Sequence, residues 1–387
     1  MSKKITILGK GTAGSIAAAH FSHYTEDEIE VIYDSNIPEA AVGEGSQLSL
    51  PKLLTNIFNL SWLELSKINY NAKQGIMYQN WGANNYFHNF PIPESAWHFN
   101  ALSLQNFIKE KIEHKVNYID KHIKNVNELD TDYVIDCRGK PTMDNRFAIQ
   151  HDMVINSAYV VQCPWNYPKI QYTLAIARPY GWVFGVPLSN RLSLGYMYND
   201  KFNTVDEVKR DIEEVLKLLE EEADGKINNL SFNNYKLKQN YSEYQSHNGN
   251  ASFFLEPLEA TSIETIDFIN RQTYDLIYNS HTIDYEQQKL DMWFDETNVI
   301  IMMHYAAGSQ FDTPFWKHAI KKGWNCLDNA PITFTEQVQN VQRYLDKQID
   351  SNELGIFGAG WNLRSQAENL IGLGIYDTLI ERIKIAN

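Results

Sequence analysis

The spacing of apolar residues differs between parts of the chain. Residues 5–8 and 29–33 are short, continuous apolar runs, and the small-residue stretch 15–19 lies between them. Strands buried on both faces of a parallel sheet have such continuous runs, so this pattern predicts a strand–helix–strand unit. Residues 133–137 form a third run that ends at a glycine turn and predicts a further strand of the same sheet. The start of the chain is therefore predicted to form an α/β unit with a parallel sheet.

The middle of the chain shows shorter runs bounded by turn residues. Residues 154–162 and 171–177 are predicted to be antiparallel strands, and residues 181–188 and 191–198 a hairpin around Ser189-Asn190. Residues 97–113 have a helical pattern, and residues 204–222 are typical of an amphipathic surface helix. From residue 263 onward the chain is predicted to be mainly helical. An antiparallel sheet followed by a helical C-terminal part is the expected order.

One helix of this last part has an unusual beginning. Apolar residues recur at spacings near 3.6 from Ile263 to Ile277, and Thr261 is followed three residues later by Glu264. This spacing predicts a capping box, with the helix starting at Thr261 or Ser262. A helix start has unpaired backbone N–H groups and positive dipole charge, and can hold an anion. Glu259 would lie just before such a site, although the segment is also consistent with an ordinary cap that has an acidic first turn.

The first predicted strand runs into the motif Gly9-x-Gly11-x-x-Gly14. In this motif the first glycine permits a tight turn, the second lets the backbone approach a pyrophosphate, and the third allows close helix–strand packing. Asp34 follows Gly14 by 20 residues, at the end of the second strand, where an acid binds a ribose hydroxyl group. Because strand, turn, helix, strand and acid occur in this order, the sequence predicts a dinucleotide site.

Two further stretches contain charged residues in unusual places. Gly43-Glu44-Gly45 is either a loop that passes close to a ligand or an ordinary surface turn. Residues 69–82 are interpreted as one strand, in which Lys73, Met77 and Gln79 share a face opposite to Ala72, Gln74, Ile76 and Tyr78. A lysine in the middle of a strand is usually solvated.

Composition limits the classes of partner. The formal net charge is −14, from 48 acidic and 34 basic residues, which argues against nucleic acid or an anionic membrane as the main partner. No apolar run approaches a membrane span, and the first residues do not form a signal peptide. Three widely spaced cysteines suggest neither disulfides nor a metal site, so a cytoplasmic location is expected.

Five motifs together resemble those of the flavin-dependent halogenases of the tryptophan-halogenase type. They are the glycine motif, Val42-Gly43-Glu44, Ala72-Lys73-Gln74-Gly75-Ile76 with its following Asn-Trp-Gly, residues 181–187, and the segment from Gly249-Asn250 through Glu256-Pro257-Leu258-Glu259-Ala260-Thr261-Ser262. The last is the most specific, and residues 304–305 and 312–316 add a late match. The resemblance spans residues 1 to about 316 of the sequence.

The resemblance implies a Rossmann-like FAD-binding monooxygenase fold and a set of site residues. Lys73 and Glu259 would be catalytic, and halide would bind at Thr261 and Ser262. Contacts to FAD would come from Gly9, Gly11, Gly14, Asp34, Gly43, Glu44, Trp182, Gly249, Asn250, Pro257 and Leu258. The chain would form one integrated unit with a discontinuous FAD-binding part (1–50, 101–150, 240–280), a substrate part (51–100, 151–239) and a helical C-terminal part (281–387).

The implied activity is halogenation of an aromatic or heteroaromatic small molecule by hypohalous acid that is guided to Lys73. Reduced FAD (FADH2), O2 and a halide ion would be consumed, and a separate flavin reductase would supply the FADH2. Phe184 and Val186 differ from the family pattern, and so do Ala260 and Ser262. The changes at Ala260 and Ser262 leave bromide and iodide open and chloride in question. A homo-oligomer also remains open. The alternatives are a flavin-dependent aromatic hydroxylase and a flavin-binding protein without chemistry.

Overall fold

The computed structural model describes residues 2–37, 43–90, 95–150, 153–351, 357–358 and 360–386. The chain divides into two compact units. The first unit consists of Met1–Tyr70, Trp97–His151 and Asn234–Leu290, and the second of Asn71–Ala96, Asp152–Asn233 and Asp291–Asn387. No helix within these described ranges is both long and apolar enough to cross a membrane. The predicted flavin-binding, substrate and C-terminal parts have different boundaries, and their roles stay a prediction.

The strands are short, as the lengths of the apolar runs predict. In chain order they are β1 (Lys4–Leu8), β2 (Glu28–Tyr33), β3 (Gly43–Gly45), β4 (Asn71–Lys73), β5 (Gly75–Gln79), β6 (Tyr86–Asn89), β7 (Ala96–Asn100), β8 (Val116–Asp120), β9 (Tyr133–Asp136), β10 (Phe147–Gln150), β11 (Ser157–Pro164), β12 (Thr173–Arg178), β13 (Gly181–Pro187), β14 (Arg191–Tyr198), β15 (Ile227–Ser231), β16 (Asn234–Leu237), β17 (Gln245–His247) and β18 (Phe253–Phe254).

Most of the helices belong to the second half of the chain. They are α1 (Thr12–Tyr24), α2 (Ser49–Phe58), α3 (Trp62–Ser66), α4 (Ala101–Ile112), α5 (Val205–Leu219), α6 (Thr261–Tyr278), α7 (Ile283–Ala307), α8 (Pro314–Asp328), α9 (Ile332–Leu345), α10 (Leu363–Gly372) and α11 (Tyr376–Ala386). Short 3-10 helices cover Val126–Glu128, Gly249–Ala251 and Leu258–Ala260. The predicted helical C-terminal part is confirmed.

The first unit contains a five-stranded parallel sheet in the order β17-β9-β1-β2-β8. The strands in its middle are buried, with Ile5 and Ile7 fully inaccessible, as their continuous apolar sequence predicts. Helix α1 follows β1 and buries its run of small alanines. The predicted Rossmann-like fold is confirmed. In such sheets ligands bind at the carboxyl ends of the strands, which is where the glycine motif lies.

The second unit contains a seven-stranded sheet in the order β15-β11-β14-β13-β12-β5-β6. Its neighbouring strands are antiparallel except for β12 and β5, which run parallel. One face packs against α5, whose Val208, Ile212 and Val215 join a core with β11 to β14. The predicted hairpin of β13 and β14 and the amphipathic helix α5, which begins with a capping box at Thr204, are both confirmed.

Two sequence predictions about how helices begin are wrong. Residues 97–100 were predicted to begin a helix, but they belong to β7, which pairs with β3, and α4 starts only at Ala101. Helix α6 starts at Thr261, as predicted, but Thr261 does not cap it, because the cap residue is Ala260 and no described side chain caps this helix. In both places the chain takes its conformation from distant partners instead of from its own residue pattern.

Candidate functional site

The three glycines of the first turn are needed for three different reasons. Gly9 has φ +96°, and a Cβ there would lie 2.7 Å from the carbonyl oxygen of Cys137. A Cβ on Gly14 would lie 1.9 Å from the carbonyl oxygen of Gly9, so only glycine lets α1 pack this closely on the turn. A Cβ on Gly11 would meet no described heavy atom within 4 Å. Gly11 therefore faces open space, and the turn fits the approach of a pyrophosphate to the start of α1.

The start of α1 is linked to β3 by a chain of hydrogen bonds. Thr12 donates from Oγ1 to Oε1 of Glu44 (3.1 Å), and the buried Gln105 donates from Nε2 to Oγ1 of Thr12 (3.2 Å). Burial raises the pKa of Glu44 to about 7, although the hydrogen bond from Thr12 acts in the opposite direction. Glu44 and the backbone of Gly43 thus lie beside the predicted pyrophosphate site, whereas Val42 lies outside the described residues.

Asp34 directly follows β2, at the carboxyl end of the sheet, as predicted. Its Oδ1 accepts hydrogen bonds from the backbone and side-chain nitrogen atoms of Asn36 (2.9 Å each), and its Oδ2 lies 2.8 Å from Nδ1 of His122. The bonds from Asn36, and then the contact with His122, hold the pKa of Asp34 below its usual value. An ionised acid at this place is what a ribose hydroxyl group requires.

The Gly249-Asn250 turn lies next to the first turn of α1. Strand β17 ends at His247, and Gly249 then adopts φ +57°, where a Cβ would lie 2.6 Å from Cβ of Ala13. The buried side chain of Asn248 fixes this turn, because its Oδ1 accepts from the backbone nitrogen of Gly249 (2.7 Å) and its Nδ2 donates to the carbonyl oxygen of Ile266 (3.0 Å). Asn250 is exposed. The structure thus brings this late motif to the same end of the sheet as the glycine motif.

The start of α6 is strained. Glu259 and Ala260 are consecutive residues in the left-handed region, with φ +70° and +53°. Each such non-glycine residue costs about 1–2 kcal/mol. They follow Pro257, whose carbonyl oxygen accepts from the backbone nitrogen of Ala260 (3.0 Å), and Leu258, which is buried. Strain of this kind persists only where the surroundings fix the backbone, and it is concentrated at functional sites.

The residues around this start are deeply buried. Glu259 is 3% exposed, and Gln47 donates a hydrogen bond from Nε2 to its carbonyl oxygen. Thr261 is fully inaccessible, and its Oγ1 has no hydrogen-bond partner among the described residues. Ser262, the second predicted halide ligand, is partly exposed. An uncapped helix start with an unpaired buried hydroxyl group has the donors that a small anion needs.

A second acid with a raised pKa belongs to the first turn of α6. Burial raises the pKa of Glu264 to about 7, although the hydrogen bond from Ser49 acts in the opposite direction. The sequence predicted Glu264 as the partner of Thr261 in a capping box, and it instead faces α2. Gln47 and Glu264 were not predicted as site residues, because their contacts depend on how α2 and β3 pack on α6.

In the second unit, Lys73 is a fully buried lysine, with 0% exposure. It ends β4, and its Nζ lies 5.2 Å from the centre of the Phe90 ring. The prediction of one continuous strand through Lys73 is wrong, since β4 and β5 are separated at Gln74. The backbone of Gln74 is bound there by the carbonyl oxygen of Gln171 and the nitrogen of Phe90, both at 2.8 Å. The break allows both Lys73 and Tyr78 to be buried, although they belong to opposite faces of a regular strand.

The surroundings of Lys73 are aromatic and contain two buried histidines. Burial lowers the pKa of His88 to about 3, and the charges of His304 and Lys73 lower it further. The ring of Trp361 lies 5.4 Å from that of His88 and 6.0 Å from that of His304. His304 belongs to the late match at residues 304–305, but neither His88 nor Trp361 was predicted as a site residue. His88 and Phe90 are two residues apart in an aromatic stretch that could have marked them.

Trp182 also belongs to the second unit and is buried in its core. Its Nε1 donates a hydrogen bond to Oη of Tyr305 (2.9 Å), and its ring lies 6.0 Å from that of Trp81. Phe184 points to the same face of β13, 6.4 Å from Trp182 between ring centres. The predicted contact between Trp182 and flavin stays a prediction.

One group of ionisable side chains lies away from all these motifs. Asp275, His281 and Glu286 place one ligand atom each within 4.8 Å of one another. The buried carboxylate of Glu286 already accepts a hydrogen bond from Gln272 (2.7 Å) and pairs with Lys289 (3.0 Å). The group is thus a network of hydrogen bonds and ion pairs that joins the end of α6 to the start of α7.

The parallel sheet and its glycine turn are typical of proteins that bind a dinucleotide. The family model described as tryptophan halogenase matches residues 4–123 and 94–348. The chain belongs to the tryptophan halogenase family. The predicted family, enzyme class and fold are therefore confirmed.

Individual relatives are distant. Tryptophan 7-halogenase RebH of Lentzea aerocolonigenes is 24% identical over 425 aligned residues, which cover 81% of this chain and 78% of RebH. Tryptophan 6-halogenase ThaL of Streptomyces albogriseolus is 25% identical over 254 residues, which cover 57% of this chain but only 48% of ThaL. The chain thus spans about half the length of some relatives that it matches.

Solved structures of similar fold cover the whole chain. Xcc4156, a flavin-dependent halogenase from Xanthomonas campestris, superimposes with a TM-score of 0.80 at 18% identity, covering 100% of this chain and 96% of that one. BrvH, a flavin-dependent halogenase from Brevundimonas sp. BAL3, gives a TM-score of 0.78 at 17% identity, covering 99% and 95%. At these identities the likeness establishes the fold.

Proposed function

We propose that this chain is a two-component halogenase that uses FADH2 from a separate reductase, O2 and a halide to halogenate an aromatic or heteroaromatic small molecule. The observation that carries this proposal is the complete burial of Lys73 beside an aromatic ring. Burial disfavours a charged ammonium group, so a fully buried lysine is found most often where its amine has a function. A flavin-dependent hydroxylase has no such need.

The residues of the first unit supply the binding sites in this proposal. The turn from Gly9 to Gly14 and the start of α1 bind the pyrophosphate of FAD, and Asp34 binds the ribose. Bound reduced flavin supplies the reducing equivalents that activate O2 for the oxidation of halide. The backbone N–H groups of Thr261 and Ser262 hold the halide, because a helix start stabilises negative charge.

Two side chains act on the oxidised halogen and on the substrate. The Nζ atom of Lys73 holds hypohalous acid, either as a hydrogen-bond donor or as an amine, until the aromatic carbon attacks the halogen. The carboxylate of Glu259 stabilises the resulting cation and accepts its proton, which is a role suited to a positioned general base. The aromatic rings around Lys73 suit a flat substrate. The changed residues at α6 leave bromide and iodide open as the halide and chloride in question.

Product analysis tests the proposal. Wild-type protein is incubated with FADH2, O2 and a panel of indoles and phenols, with chloride, bromide or iodide in turn, and products are identified by mass spectrometry. We expect halogenated products that disappear with Lys73→Met, which keeps the buried volume, whereas the affinity for FAD stays unchanged. Lys201→Met removes an exposed lysine from the same unit and serves as the matched control.

A second variant separates binding from chemistry. Glu259→Gln is expected to lower the halogenation rate by about 100-fold or more, with FAD affinity unchanged, because a general base contributes roughly that much. Hydroxylated products alone, in the presence of every halide, would favour the hydroxylase alternative. Full activity of Lys73→Met would remove the lysine from the mechanism.

A further inference from the structure

Two lysines lie at the carboxyl end of the parallel sheet, beside the glycine turn. Lys10 stands between the first two glycines, and its Nζ lies 4.2 Å from the centre of the Tyr33 ring. Lys109 of α4 places its Nζ 6.0 Å from the centre of the same ring and 5.0 Å from that of Tyr118. We call these four residues the lysine–tyrosine cluster. Tyr33 ends β2 and directly precedes Asp34, so the cluster adjoins the predicted ribose acid.

The position of this cluster matters because the rest of the protein is acidic. With a formal net charge of −14, the chain repels an anionic ligand at long range. Salt screens such repulsion beyond about 8–10 Å, so charges close to the binding site decide the local potential. Asp34 and Asp120 lie at the ends of neighbouring strands and add negative charge there. Hydrogen bonds from Ser35 and the charge of Lys10 lower the pKa of Asp120, so the field of Lys10 reaches this end of the sheet.

We propose that Lys10 binds the pyrophosphate of the dinucleotide and that Lys109 reinforces it as a second, more distant cation. This inference rests on the proposed function, because the ligand is the flavin dinucleotide. It adds a side-chain cation to a site that glycines and backbone N–H groups would otherwise form alone. An ammonium group is a compact point charge that binds phosphate well.

The tyrosines have a separate role in the cluster. An ammonium group close to an aromatic ring is attracted by the negative charge on the face of the ring. Both lysines are partly buried, so Tyr33 holds Lys10 near the turn before the ligand arrives. Ordering a flexible side chain in advance lowers the entropy that binding must overcome. Gly11, which faces open space next to Lys10, leaves room for the phosphate group that the ammonium would reach.

The test compares two flavins that differ in phosphate. The affinities of oxidised FAD and of riboflavin, which lacks phosphate, are measured by fluorescence titration at low and high sodium chloride. Lys10→Met should weaken FAD binding by about 10-fold at low salt and reduce its salt dependence, because one charged contact to phosphate is lost. Lys10→Arg should restore most of the affinity, and Lys109→Met should have a smaller effect of the same kind.

The controls identify which part of the inference fails. Lys115→Met removes an exposed lysine that precedes β8, at the amino end of the sheet, and should leave FAD affinity unchanged. Riboflavin binding should be unchanged in every variant. Equal FAD affinity of wild type and Lys10→Met, or an equal loss for riboflavin, would overturn this inference while the proposed function stands. A wild-type protein that binds no flavin would overturn both.

Discussion

Helices α1 and α6 both start without a side-chain cap among the described residues of the first unit, yet their starts are built in opposite ways. At α1, glycines create a relaxed turn, and Gly11 faces open space. At α6, two non-glycine residues are held in the left-handed region, and Thr261 is fully inaccessible. We call the start of α1 the open start and the start of α6 the closed start. An open start can receive a large group such as a pyrophosphate, whereas a closed start admits only a small anion. This difference supports flavin at α1 and halide at α6.

The two starts are also joined through β3 and the residues that follow it. Glu44 accepts the hydrogen bond from Thr12 at α1, and Gln47, three residues later, donates to the carbonyl oxygen of Glu259 before α6. The segment is short, and its backbone pairs with β7. A displacement of one helix start would therefore be transmitted to the other through the few covalent bonds between Glu44 and Gln47.

The largest expected effect is on stability, and it should differ between two glycines of the open start. Gly14→Ala should destabilise the protein by about 3 kcal/mol, because its Cβ would overlap the carbonyl oxygen of Gly9. Gly11→Ala should leave the melting temperature unchanged, since its Cβ has space and its φ of −64° suits alanine. It should nevertheless weaken FAD binding by occupying the space of the ligand.

Thermal unfolding and FAD titration of both variants check this prediction. A Gly11→Ala variant that binds FAD normally would mean that the open space is not the pyrophosphate site. A Gly14→Ala variant as stable as wild type would show that α1 can shift away from its turn.

The two helix starts also differ in how well the sequence predicted them. The start of α1 was predicted correctly because glycine is a local signal for the turn, and the backbone needs it at Gly9 and Gly14. No glycine marks Glu259 and Ala260, so their left-handed backbone has no local signal, and the capping box at Thr261 was a wrong interpretation. The strand break at Gln74 was likewise missed, because Gln171, which binds its backbone, is almost 100 residues away.

An intermediate effect concerns pH, because each start has a carboxyl group with a raised pKa. Burial raises the pKa of Glu44, beside α1, and of Glu264, in α6, from 4.5 to about 7. The folded state therefore binds more protons than the unfolded state between pH 4.5 and 7. The free energy of unfolding should fall as pH rises through this window and stay level above it. A shift of this size corresponds to at most about 3 kcal/mol for each acid.

Urea denaturation across this pH window checks the sign. Glu44→Gln and Glu264→Gln should each flatten the profile and raise stability above pH 7, whereas Glu26→Gln, at an exposed position, should not. If Glu44→Gln flattens the profile but Glu264→Gln does not, only the α1 start is coupled to protons.

The smallest expected effect is a change in stability of about 1 kcal/mol. It tests whether the closed start has an unpaired donor that can bind an anion. Thr261→Val removes a buried hydroxyl group that has no partner among the described residues, and should therefore stabilise the halide-free protein by about 1 kcal/mol. Thr273 is a matched control in the same helix, because it is equally buried but donates to Oγ of Ser246 (3.1 Å). Thr273→Val should destabilise the protein by about 1 kcal/mol. With halide present, Thr261→Val should raise the KM for halide while kcat changes little, since the backbone donors remain. If Thr261→Val is as destabilising as Thr273→Val, the hydroxyl group of Thr261 is paired in solution, and the closed start offers an anion only its backbone.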